Sequence, residues 1–271
     1  MSYSIFSDTM VDMTYTQIEV ASKKNIPILF PIAVIEEHGP HMCLGTDTYL
    51  TYDFCKKLKK ELANYNIDSL IAPPFYWGVN SITNGFPGSF VVKSETMMTI
   101  VLELLENLKA WGFDNIFLFN FHGDYKHIQT IFEVAKKAYN EQNIGAYFVA
   151  QDLVFRIAGL SGKEPNVIEI PTNQQSSSQY IDIHAGSFET SWMVKNFPDL
   201  VDINQAGNLK SSFTSIKDLK TWLQGGQKAR EITPLGYCGN PSEINVEKAA
   251  EIEQELIVSF AKYIYEFIKT K

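Results

Sequence analysis

Apolar residues follow two rhythms along the first 150 positions. The run Ile28-Leu29-Phe30-Pro31-Ile32-Ala33-Val34-Ile35 has strand length and no polar alternation. It predicts a strand covered on both faces, as in a parallel sheet. Pro31 has no N–H to give a ladder, so it predicts an irregularity or an edge position. Ser69–Ala72 reads as a second strand, stopped by Pro73-Pro74, and Asn115–Phe119 and Gly145–Ala150 as a third and fourth.

Helical spacing fills the intervals. From about Thr48 to Asn64, Tyr49, Tyr52, Leu58 and Leu62 share a face while Lys56, Lys57, Lys59 and Lys60 are solvated. Ser94 is a candidate N-cap for a helix carrying Met97, Val101, Leu104, Leu105, Leu108 and Trp111, and Gly112 suits its C′ position. Ile128–Tyr139 is amphipathic again. Strand and helix alternate, which argues for an α/β fold with a parallel sheet and right-handed crossovers.

Tyr76 to Gly88 is a long loop, and Lys163 to Ile183, with Gln174-Gln175-Ser176-Ser177-Ser178-Gln179, reads as an extended polar loop. A last helix from about Val246 to Lys269 sets Ile252, Leu256, Phe260, Tyr263 and Phe267 on one side. No internal repeat and no interdomain linker breaks the pattern.

Composition narrows the function classes. The 271 residues are 45% hydrophobic and 20% charged, enough apolar surface for a core. Lys plus Arg number 23 against 31 Asp plus Glu, a formal charge of -8 with no basic run, which argues against a nucleic-acid partner. Cys43, Cys55 and Cys238 are odd in number and lack CxxC spacing, so neither a disulfide framework nor a thiolate zinc site is expected. No basic, apolar leader and no apolar run of about 20 residues occurs. A cytoplasmic protein with no membrane association is the expectation.

Only five histidines occur, His38, His41, His122, His127 and His184, in three short segments that each hold a carboxylate. The first, Glu36-x-His38-Gly-Pro-His41-x-x-Leu-Gly-Thr-Asp47, follows the first predicted strand. Imidazole plus carboxylate is a ligand set for zinc, manganese or iron, and a polar surface loop is the plain alternative. The second, Asn120-Phe121-His122-Gly123-Asp124, follows the third strand. Taken alone, Asp124 reads better as a helix N-cap than as a ligand. In open α/β sheets ligands sit beyond the carboxyl ends of strands, so the two segments can converge. In the third, Asp182-Ile183-His184-Ala185-Gly186-Ser187-Phe188-Glu189-Thr190-Ser191, His184 and Glu189 suit a proton-transfer pair; Glu189 reads equally well as a buried helix-start residue.

These segments in this order resemble the creatininase family. Phe86-Pro87-Gly88 and Gly239-Asn240-Pro241 add to a likeness that spans roughly residues 25 to 250. The resemblance implies a single-domain three-layer α/β sandwich over residues 1–271 with a mostly parallel sheet. It also implies a homo-oligomer, a hexamer, and two divalent ions, Zn or Mn. Carried over by position, Glu36 and His122 would hold one metal and His38 the other, with Asp47 bridging. Asp124 falls where creatininase has a glutamate ligand to the second metal and many relatives have glycine. His184 falls on the family's catalytic histidine, with Glu189 close by as a metal or supporting group.

Departures bear on substrate. Met42-Cys43 replaces the family's usual Leu-Pro, and residues 78–84 lack its Ser-x-Glu-His pattern. A small buried role suits Cys43 better than a catalytic one. Tyr180 and Ile181 stand where creatininase carries a Trp-Asp pair, which argues against creatinine itself. The expected activity is hydrolysis of a C–N bond in a small cyclic amide or formamide by a two-metal-activated water, with His184 protonating the leaving nitrogen. Phe75, Tyr76, Trp77 and Tyr180 are candidate pocket walls. Ring opening of a keto-inositol or oxidised sugar is the alternative, suggested by Asn80, Ser81, Thr83 and Asn84. A non-catalytic metal-binding protein is the third reading.

Overall fold

The computed structural model describes residues 3–172, 181–212 and 215–271. Five strands, β1 (Ile28–Pro31), β2 (Leu70–Ile71), β3 (Ile116–Phe119), β4 (Ala146–Gln151) and β5 (Val167–Ile170), form one sheet in the order β2-β1-β3-β4-β5. Every pairing is parallel. Helices α1 (Tyr15–Lys23), α2 (Thr46–Asn64), α3 (Ser94–Trp111), α4 (Tyr125–Gln142) and α5 (Asp152–Ile157) belong to the first half. The second half adds α6 (Ser187–Asn196), α7 (Ile203–Asn208), α8 (Ile216–Trp222), α9 (Gln227–Ile232) and α10 (Val246–Thr270).

The period-two pleat divides the strand side chains between two cores. Ile28, Phe30, Ile116, Leu118, Ala146 and Phe148 pack with Val101, Leu105, Ile131 and Ala135 of α3 and α4. Leu29, Ile71, Phe117, Phe119, Tyr147 and Val149 pack on the other face with Phe54, Leu58, Phe260 and Ile264 of α2 and α10. Strands covered on both faces explain the unbroken apolar runs and give three layers, helix, sheet and helix.

Pro31 occupies an interior strand, not an edge. Ile28 and Ile32 donate to β3, so odd-numbered β1 residues face β2, which ends at Ile71 before Pro73 and Pro74. The missing N–H therefore falls where the neighbouring ladder has stopped, while the Pro31 carbonyl still accepts from Phe75.

The expected polar loop from Lys163 contains β5. Ile168 and Ile170 are buried and Glu169 is exposed, a short edge-strand alternation that polar flanks conceal. The glutamine-serine run and Tyr180 lie outside the described residues. Ser94 is already the first helical residue of α3, whose N-cap is Lys93. Gly112 ends α3 in the left-handed region, φ 106°, its N–H reaching the Lys109 carbonyl. Among the described residues no helix is long and apolar enough to cross a membrane.

Candidate metal centre

The sheet order reverses direction between β1 and β3, and the first two histidine segments leave the sheet at that crevice. After β1 the chain runs through Glu36, Glu37 and His38 and turns back. The Glu36 N–H donates to the Leu44 carbonyl (3.0 Å), and Thr48 Oγ1 to the Val34 carbonyl (2.8 Å). Gly39 makes this turn at φ +66°, where a Cβ would lie 2.9 Å from His41 Nδ1. The turn places Asp47 in the first turn of α2, whose N-terminal dipole favours a carboxylate.

Asp47 divides its carboxylate between two histidines. Oδ1 lies 3.2 Å from His38 Nε2 and Oδ2 lies 3.0 Å from His122 Nδ1. Glu36 Oε1 lies 2.9 Å from the same His122 nitrogen, and Glu189 Oε2 is 3.9 Å from His38 Nε2. Three overlapping groups each bring their ligand atoms within 4.8 Å of one another: Glu36, Asp47, His122; His38, Asp47, Glu189; and Glu36, His38, His184. All of these residues are buried except Glu189, which is partly exposed.

The donor set fits a cation. His122 Nε2 is 3.2 Å from the Val79 carbonyl, an acceptor, so in the neutral ring the proton sits there and Nδ1 presents a lone pair. Asp47 Oδ2 and His122 Nδ1 are buried without a hydrogen-bond partner, and Glu36 adds a third acceptor beside them. Acceptors so arranged need positive charge between them, from a proton or a metal ion.

Electrostatics without an ion point the same way. Burial opposes charge on His38, yet Asp47, Glu189 and Glu36 outweigh it and push its pKa up to about 10. Burial likewise opposes charge on His122, but Glu36 and Asp47 hold its pKa well above the ordinary value. His184 is raised to about 9, with Glu36 and Glu37 prevailing over burial and His38. Burial raises the Glu189 carboxyl, and His38 and His184 only partly offset it.

A family model described as creatinine amidohydrolase matches residues 11–264. The chain belongs to the creatininase family. It is 28% identical over 215 residues, 76% of each chain, to the creatinine amidohydrolase of Pseudomonas putida. It is 23% identical to a mycofactocin precursor peptide peptidase of Mycobacterium ulcerans (strain Agy99), over 85% of this chain and 81% of the relative. It is also 23% identical to the 3-dehydro-scyllo-inosose hydrolase of Thermotoga maritima, over 95% and 82%. A crystal structure of creatininase superposes with a TM-score of 0.72 at 20% identity, covering 96% of this chain and 97% of that one. Another, of creatininase with Mn, gives 0.71 at 21%, covering 96% and 98%. Creatininase-family proteins are hydrolases, and this chain is one of them.

Within this creatininase-family cluster, Glu36, His38, Asp47, His122, His184 and Glu189 come together, and Asp124 does not join them. Asp124 is the N-cap of α4, accepting from Lys126 N (2.8 Å), and its other oxygen accepts from Ser81 N (2.5 Å) and Oγ (2.8 Å). Those bonds point the short carboxylate at the 79–83 loop, so it belongs to none of the three ligand groups. Glu189 fills the place beside His38 from the first turn of α6, its Oε2 also accepting the Ala185 N–H (2.6 Å). Glu189 thus starts α6, partly exposed rather than buried, and its contact is with His38.

Glu37 carries a role the sequence did not reveal. Its carbonyl and Oε1 lie 2.9 and 3.2 Å from His184 Nε2, and Oε2 accepts from Gly39 N. This anchors Nε2 and leaves Nδ1 towards Glu36, 3.8 Å away. The Glu36-Glu37 pair is itself a signal, because neighbours in an extended stretch point opposite ways and serve two sides of one turn.

The other candidates pack. His41 Nε2 bonds Thr190 Oγ1 (2.9 Å), and burial with the nearby His38 and His184 lowers its pKa to about 4. Cys43 is half-buried, and burial pushes its thiol up, which disfavours a thiolate. Phe75 belongs to the core, and Trp77 packs edge-on against Phe90 at the surface (5.4 Å).

Proposed function

We propose that this protein is a metal-dependent amidohydrolase that cleaves a C–N bond in a small cyclic amide or a formamide. The observation that carries the reading is the split of Asp47 between His38 and His122, which divides the cluster into two ligand sets sharing one carboxylate. Glu36, Asp47 and His122 would hold one divalent ion, Zn or Mn, and His38, Asp47 and Glu189 the other. Such a pair supplies Lewis acidity, lowering the pKa of water towards neutrality and polarising a carbonyl.

The chain's own groups do the rest. Asp47 fixes the spacing of the two ligand sets. Glu37 anchors His184 at Nε2, so Nδ1 is the nitrogen left to protonate the departing amine. On one side of His184 apolar residues would form a wall: the Trp222 ring stands 6.1 Å from the imidazole, and Ile181 packs against the buried cluster of Ile82, Trp222, Ala229 and Cys238. An uncharged planar amide suits that wall better than creatinine, whose cationic or amidine-like ring needs an anionic partner. Hydrolysis of a C–N bond is also what the names of the Pseudomonas and Mycobacterium relatives describe.

The polyhydroxy alternative keeps the support of the Thermotoga relative, an inosose hydrolase by name, while three of the four loop groups that suggested it are engaged within the fold. Thr83 Oγ1 bonds Glu36 and Asn80, and Ser81 bonds Asp124, so these groups already serve the loop itself. The family reading further makes the chain one domain of a cytoplasmic homo-oligomer, a hexamer, which light scattering tests. The deciding experiment is metal analysis followed by a turnover screen of lactams, formamides and keto-inositols. Two equivalents of metal with chelator-sensitive amide hydrolysis is the expected result. Turnover of keto-inositols alone, or turnover indifferent to metal removal, overturns the reading.

A further inference from the structure

His127, like His41, belongs to none of the ligand groups, yet it is linked to His122 through one residue, Val79. His127 lies in the first turn of α4 and is fully buried. Its Nδ1 accepts a hydrogen bond from the Val79 N–H at 3.1 Å. The carbonyl of the same residue accepts from His122 Nε2 at 3.2 Å. The two imidazoles stand edge to face, 5.1 Å between centroids, on either side of residue 79.

The approach is too close for any side chain at the preceding position. A Cβ on Gly78 would lie 2.3 Å from His127 Cε1, 2.5 Å from Nδ1 and 2.7 Å from Val34 Cγ1. The backbone of residues 78–79 therefore abuts the Nδ1–Cε1 edge of the His127 ring. Two residues on, Asp124 from the cap of the same helix turn grips Ser81. The start of α4 thus holds residues 79–81 at two points.

We propose that His127 is a positioning residue for the metal centre: by holding the Val79 N–H it aims the Val79 carbonyl at His122 Nε2, which fixes the tautomer that presents Nδ1 to the metal. The proposal rests on the reading of His122 as a metal ligand. The ring nitrogen opposite a metal-ligating nitrogen is normally held by an acceptor, and loss of such support typically weakens metal binding about 10–100-fold. What distinguishes this site is that the acceptor is a loop carbonyl, which needs its own anchor. His127 supplies it, and acts with Nδ1 unprotonated because that atom receives the Val79 proton.

The test compares His127→Leu with His127→Asn. Leucine fills space without an acceptor, whereas the asparagine side-chain oxygen stands as many bonds from the backbone as Nδ1 does. Zn²⁺ affinity, measured by competition with a chromophoric chelator, should fall about 10–100-fold in His127→Leu for one of the two bound ions and recover in His127→Asn. Wild-type Zn²⁺ affinity in folded His127→Leu protein with a lowered Tm assigns His127 a packing role only and overturns the proposal. If His127→Leu does not fold, His127→Gln replaces it, because its carbonyl lies one bond further out. Equal affinities of the Gln and Asn variants then overturn the proposal. His122→Ala is the control for the underlying reading. If that variant binds two Zn²⁺ ions as tightly as wild type, His122 is not a ligand and both readings fall together; if it loses an ion while His127→Leu does not, only the positioning role falls.

Discussion

Glu189 Oε2 stands 3.9 Å from His38 Nε2, although one residue starts α6 and the other follows β1. In the proposed site that contact supplies a third group beside His38 and Asp47 in place of Asp124. Glu189→Gln should therefore lower bound metal by one equivalent, whereas Asp124→Ala should keep both ions. Loss of the α4 cap should instead cost about 1–2 kcal/mol of stability. Elemental analysis and thermal melts on both variants check this, and an Asp124→Ala protein short of one ion would restore Asp124 as a ligand.

Asp47 is the only carboxylate common to the two sets. Asp47→Ala should remove both ions or weaken both strongly, while His38→Ala should mainly empty one. Titration with Zn²⁺ followed by buffer exchange and elemental analysis reads the stoichiometry. Two retained equivalents in Asp47→Ala protein would reject the bridge.

His184 is held at Nε2 by Glu37 and lies outside the two groups that share Asp47, although it also groups with Glu36 and His38. His184→Gln should keep the fold and the metal but lower kcat by about 10²–10⁴, measured on whichever amide the screen identifies. Glu37→Gln should act in the same direction and less, because the Glu37 carbonyl still holds Nε2. Unchanged turnover in folded, metal-loaded His184→Gln protein would move the proton-donor role elsewhere.

A second buried carboxylate serves stability rather than chemistry. Glu253 on α10 accepts from Lys57 (2.6 Å), Trp192 Nε1 (2.5 Å), Asn196 (2.9 Å) and Lys195. Burial alone would raise its carboxyl, but Lys195, Lys57 and Trp192 prevail and hold it below the ordinary 4.5. A depressed carboxylate contributes stability that is complete above the unfolded value and is lost as pH falls through the folded one. Stability should therefore drop below about pH 4.5, in part through this group. Glu253→Gln should lower stability at pH 7 by about 1–3 kcal/mol and flatten that acid limb. Urea denaturation at pH 7 and pH 3.5 on both proteins measures the difference.

Much of the fold is legible in the sequence because the physics there is local. Ile28–Ile35, Ile116–Phe119 and Gly145–Ala150 are apolar throughout, and a sheet covered on both faces accommodates such runs in succession. Glu36, His38, Asp47 and His122 could be singled out because they follow strand ends, where α/β sheets bind ligands. Gly112 announces the end of α3 through the backbone freedom of one residue.

Other features are decided only when distant segments meet. Strand β5 has four residues, and its burial comes from β4 and α10, not from its own pattern. Pro31 reads as an edge residue or an irregularity, and only the register shows it in an interior strand, just past the point where regular pairing with β2 ends at Leu29 and Ile71. Asp124 is the cap its own segment suggested, and Ser81, 43 positions away, claims its other carboxylate oxygen, while Glu189, held by the Ala185 N–H, stands beside His38. Hydrogen-bond direction and the reach of a side chain set those choices, and neither is a property of residue type or spacing along the chain. Sequence thus determines which groups can bind a metal ion, and tertiary structure determines which of them face one another.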